Sequence, residues 1–136
     1  MKTNSTSTPR AALWTGWIFS GLTILFMLFD AAGKLARESH VLKAQVEIGW
    51  PNDLTRVLGG VLLGCTILYA IPRTAFYGAI LLTAWLGGAT AAKVRLEDPT
   101  LWLSVAFGFL LWVGLFFRDS RIRSLAALRP GNAPSV

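Results

Sequence analysis

The chain has 136 residues, room for one domain, and 54% of them are apolar while 15% are charged, against about 25% charged in ordinary soluble domains. The net charge of +6 would suit nucleic acid, but the basic residues stand at the ends of long apolar runs, where they fit headgroups and topology signals instead. One cysteine, Cys65, lies inside an apolar run, so no disulfide can form within the chain and Cys65 reads as a small packing residue.

Residues 1–10, MKTNSTSTPR, are polar and read as a disordered tail. Ala11 to Phe29 is uncharged over nineteen residues, with Trp14 and Trp17 near its start as in an interfacial belt. It is longer than the apolar core of a signal peptide, so a retained spanning helix over about residues 11–33 is expected. Asp30 and Lys34 close it at a spacing that puts both on one face. Residues 35–53 form the sizeable loop. Within it, Ser39 to Glu47 suits a short interfacial helix stopped by Gly49 and Pro51, with Trp50 at headgroup depth and Asn52 or Asp53 capping the next helix.

The second spanning candidate is 54–71. Arg56 in its first turn can snorkel outward, and Gly60 and Gly64 form a close-approach G-x-x-x-G pair. Pro72-Arg73 makes a tight link, which forces the next helix to lie antiparallel beside it. That helix, 74–92, is again nineteen residues without a charge. At about 1.5 Å per residue it can span a hydrocarbon core of roughly 30 Å. Small residues recur along it every four positions: Ala75, Ala79, Thr83, Gly87, Ala91, and beside them Ala84, Gly88, Ala92. Such stripes let backbones come close in lipid, so Gly60, Gly64, Gly87 and Gly88 are expected to be helix-packing positions, and Gly88→Leu to force helices apart. Lys93, Arg95, Glu97 and Asp98 come after it, and Asp98-Pro99 suits a cap with a first-turn proline. The last span, 100–117, carries Trp102 and Trp112 near its ends. Arg118, Arg121 and Arg123 stop it, and residues 124–136 read as a loose tail after a membrane domain of residues 11–123.

The expected fold is all-α, an integral membrane four-helix bundle in contact with the lipid bilayer. Four spans place both termini on one side. That side carries seven basic residues against six on the other, a vote for cytoplasmic termini.

Catalytic and cofactor chemistry finds no foothold. The one histidine, His40, lies in the loop, and Met1 and Met27 are the methionines, so haem, metal and other cofactors are not expected. No C-x-x-C and no legible nucleophile–base pair occur, so no catalytic residue is assigned. The deep parts of the spans lack the acidic residue that a proton-coupled exporter uses. Charge gathers instead at helix ends on the long-loop side: Asp30, Lys34, Arg56, Lys93 and Arg95. These are either a solvated rim or the mouth of an intrabundle pocket, with Trp85 and Tyr69 as further lining.

The string IPRTAFYGAILLTAWLGGATAAKVR, Asp98-Pro99, LLWVGLFFRD, the FDAAGK helix end and the IGWPND connector resemble the DoxX-like family, small bacterial four-helix membrane proteins, over about residues 13–125. Members with a named role are tied to quinol- or thiol-linked oxidoreductase complexes. The resemblance therefore implies an inner-membrane, non-catalytic subunit or anchor supporting a redox partner. The alternative is a binding or transport module for a small hydrophobic molecule such as a quinone or lipid. Many members have a histidine where this chain has Lys93, so a role that needs an imidazole there does not carry over.

Overall fold

The structure, a computed structural model, describes residues 10–126, all helices and short links. In chain order they are α1 (Arg10–Ala36), α2 (Ser39–Ile48), α3 (Leu54–Ala70), α4 (Ala75–Arg95), α5 (Leu101–Arg118) and α6 (Ser120–Ala126). The polar stretch expected as a tail at 1–10 lies outside the described residues, save Arg10, which starts α1. Of the segment 124–136, the first three residues belong to α6, a helix that continues the basic cluster.

α1, α4 and α5 are long and apolar enough to cross a membrane, and α3, with 17 residues, is a shorter apolar helix beside them. Trp14, Phe29, Trp102 and Phe109 are 70–76% exposed on the outer surface. Water would penalise so many bare aromatic side chains, whereas a bilayer solvates them. The protein is a helical membrane bundle.

α1 packs on α3 and α5, and α4 packs on the same two helices, so α1 and α4 occupy opposite corners. Short links make α3 and α4, and α4 and α5, antiparallel neighbours. One pole of the bundle holds the start of α1, the α3–α4 link and α6. The opposite pole holds α2 and the α4–α5 link. α1, α2 and α4 end alike. Arg37 and Glu97 (φ 54° and 53°) and Gly49 (φ 83°) take the left-handed conformation. The next residue's N–H then reaches back: Glu38 to Gly33 O, Trp50 to Gln45 O, Asp98 to Lys93 O, at 2.9–3.1 Å. This satisfies carbonyls that would otherwise be orphaned at helix ends. The expected cap at Asn52 or Asp53 does not form, since Asp53 makes no side-chain cap bond. Pro51 O instead accepts the Leu54 N–H at 3.1 Å. Asp98 does not cap α5 either, since Thr100 holds the N-cap position and Pro99 stands in the turn before the helix. Its carboxylate accepts the Thr100 N–H at 2.9 Å, a bond that holds the Asp98 carboxyl below its ordinary range.

The packing faces differ from those expected. A Cβ added at Gly60, Gly64, Gly87 or Gly88 would meet nothing within 4 Å. The close approaches fall at other glycines. A Cβ at Gly16 would lie 2.7 Å from Arg118 N, and one at Gly114 would lie 2.8 Å from Ser20 N. One at Gly78 would lie 2.5 Å from Tyr69 Cα, and one at Gly59 3.1 Å from Leu35 N. The reason is helical phase. Four residues turn a helix by about 400°, so a row of every fourth residue drifts about 40° per step. On α4 the row starts in the core at Ala75 and Ala79 and has wound outward by Gly87. The buried row alternates steps of four and three: Ala75, Ala79, Leu82, Leu86. Gly60 likewise sits one residue, about 100°, away from buried Gly59.

Near the α3–α4 link, Tyr69 ties three helices. Its buried hydroxyl donates to Leu111 O at 2.7 Å and lies 3.2 Å from Ser20 Oγ.

Candidate functional site: an apolar cavity at the α2 pole

The small row on α4 leaves space rather than a contact. Ala84, Gly88 and Ala92 face a cavity of ≈ 410 Å³, bounded by α1, α2, the α2–α3 connector, the starts of α3 and α5, and α4. Because α1 and α4 stand at opposite corners, only bulky side chains could close the gap between them, and α4 offers alanine and glycine there. Phe26, Met27, Leu58 and Leu86 supply apolar wall, and Val41, Ala44 and Ile48 of α2 add more. Phe26 is held from behind by Phe107, stacked with ring centroids 3.9 Å apart. The volume falls within the range of small-molecule sites, about 300–1,000 Å³.

Polar groups in the lining are few. Asp30 and Lys34 form an ion pair across one turn of α1. The Lys34 ammonium also stands 5.8 Å from the Trp85 ring centroid, within range of a cation–π attraction. Lys93 donates to Thr100 O at 3.3 Å. An ammonium has three N–H donors, so each lysine keeps donors beyond the bond it makes here. Ser104 is 7% exposed and its hydroxyl bonds to no described residue, so it can donate to, or accept from, a guest. Gln45 is 5% exposed and its side-chain oxygen accepts from the Thr55 hydroxyl, which pins α2 to the start of α3.

Of the charges expected at a pocket mouth, Asp30, Lys34 and Lys93 line this cavity together with Trp85, while Arg56 and Arg95 are exposed and outside its lining. Tyr69 lies in the network at the opposite pole. The sequence reading missed Gln45, Ser104 and the α2 wall. The apolar face of α2 was detectable from Val41, Ala44 and Ile48 at steps of three and four, whereas nothing local marks Ser104.

His40 is exposed on α2, and Cys65 is buried in the core. Among the described residues no group of three or more His, Cys, Asp and Glu side chains is placed to hold a metal ion.

No curated protein and no solved structure matches the chain. The model of the DoxX-like family matches residues 18–115. That stretch takes in most of α1, all of α2 to α4, most of α5, and every residue that lines the cavity. The chain belongs to the DoxX-like family.

Proposed function

We propose that the protein binds a small hydrophobic molecule with a polar head, of the quinone or lipid type, in the cavity at the α2 pole. The observation that carries this reading is the lining: an apolar wall joined to a Lys34–Asp30 pair, Lys93 and an unbonded Ser104 hydroxyl. A ring carbonyl or hydroxyl can take a hydrogen bond from a lysine or from Ser104, while the tail takes the apolar wall. The Trp85 ring offers a face for stacking.

Purification in a gentle detergent followed by mass spectrometry of everything retained tests this. The wild-type chain is expected to retain a quinone or lipid in near-stoichiometric amount. Gly88→Leu fills the cavity from α4 and should lose it, while Gly60→Leu, on an open face, should keep it. Equal retention by both variants would refute the assignment.

The family resemblance supports a role as a non-catalytic subunit for a membrane-associated redox partner, and ligand binding is compatible with that role. A soluble oxidoreductase retained in stoichiometric amount through the same purification would support it. The basic count supports an inner-membrane location with both termini cytoplasmic.

A further inference from the structure

We propose that a second cavity, at the opposite pole from the first, binds a phosphate group, as carried by an anionic lipid headgroup or by free phosphate. The cavity is ≈ 240 Å³ and is built from Pro72 and Arg73 of the α3–α4 link, Ala75, and the α5–α6 junction of Arg118, Asp119, Ser120 and Arg121. Three arginines and one carboxylate are among its lining residues. Asp119 accepts the Arg121 backbone N–H at 2.9 Å and keeps its charge, so the arginines still outnumber the carboxylate at the cavity. Asp30 pairs with Lys34 at the other pole, and among the described residues Arg73, Arg118 and Arg121 pair with no carboxylate.

Arg118 is held before any guest arrives. Its Nη2 donates to Tyr69 O at 2.7 Å. Its guanidinium carbon lies 5.0 Å from the Trp17 ring centroid and 4.8 Å from that of Tyr69. These contacts occupy one nitrogen and the faces of the plane. Nη1 is buried with no acceptor among the described residues. A charged donor shut away from water without a partner is unfavourable, and native structures rarely leave one so. An oxyanion in the adjacent cavity would supply the acceptor once the guanidinium turns toward it, since Nη1 is closed off as it stands. The planar fork of arginine matches phosphate oxygens, and a pocket drawing on three such groups exceeds the requirement of a solvated rim. Depth fits as well. The cavity lies where α3 and α5 end and α4 begins, the level at which a bilayer carries its phosphates, and basic pockets between helices at that level suit lipid headgroups.

The test is thermal stability of the detergent-purified chain, titrated separately with phosphatidylglycerol, with phosphatidylcholine of the same acyl chains, and with inorganic phosphate. Phosphatidylglycerol is expected to raise the melting temperature and phosphatidylcholine not to. A rise with inorganic phosphate alone would keep the site and reassign its source to soluble phosphate. Arg73→Gln/Arg121→Gln alters exposed side chains and should need about tenfold more of the stabilising anion for the same shift. Arg37→Gln/Lys43→Gln removes equal charge at the α2 pole and should behave as wild type. No shift with any additive, an unchanged titration in the first variant, or equal weakening in both variants would overturn the proposal.

Discussion

Gly78→Ala is expected to destabilise the bundle, and Gly88→Ala, ten residues along the same helix, to stabilise it slightly. At Gly78 the added methyl carbon would sit 2.5 Å from Tyr69 Cα and 2.7 Å from Leu68 C. Both obstacles are backbone of α3, so no rotamer change relieves them. To reach an ordinary contact of 3.4 Å, α4 must withdraw by more than about 0.9 Å, because Tyr69 N lies nearer still than Cα. Ala75, Ala79 and Leu82, 0–1% exposed on the same face, would lose close packing together. Overpacking a core costs roughly 1–3 kcal/mol, and a backbone obstacle places this case near the top of that range. Alanine returns up to about 1 kcal/mol in helix propensity, which leaves a net loss of ~2 kcal/mol. At Gly88 the same propensity gain meets open space. Thermal unfolding of both variants in one detergent measures the contrast. A Gly78→Ala melting temperature at or above wild type would refute the assignment of the α3–α4 contact, as would a Gly88→Ala variant that melts markedly earlier.

Two further expectations concern the Tyr69 network and the orientation in the membrane. Tyr69→Phe removes the bond to Leu111 O and leaves the buried Ser20 hydroxyl without its Tyr69 contact. Side-chain hydrogen bonds within membranes average about 0.6 kcal/mol and reach about 1.7 kcal/mol, so a modest fall in melting temperature is expected, and no fall would mean that the network is not stabilising. Reporter fusions at the C-terminus and near Lys43 should report opposite sides of the membrane, the C-terminus cytoplasmic; a periplasmic C-terminus would reverse the orientation.

A feature is legible in a sequence when the physical constraint behind it is local. Span length is local: an uncharged run such as Thr74 to Ala92 can be counted, and a charge such as Lys93 marks its end. Turn chemistry is local too, and Gly49 stops α2 by adopting a conformation that glycine takes freely. Rotational phase is not local. Small residues are as welcome on the lipid side of a helix as at a contact, so Gly60, Gly64, Gly87 and Gly88 looked the same as Gly59 and Gly78. Only the partner helix distinguishes them. The same limit separated Lys34 and Lys93, which line the cavity, from Arg56 and Arg95, which do not. The Tyr69–Ser20 contact joins residues 49 positions apart, and no pattern along the chain announces it.

The uneven placement of the glycine contacts has a mechanical consequence. α4 and α5 meet their neighbours backbone to backbone at Gly78 and Gly114, both near the pole where the chain starts, while glycines farther along α4 touch nothing. The α4–α5 hairpin is therefore clamped at one end and leans on side chains at the other, as a clothes peg does. Moving that linked end away from α1 and α3 would enlarge the cavity without disturbing the clamp. Guests of different girth, of the kind proposed for that cavity, would then be admitted at the cost of side-chain contacts alone.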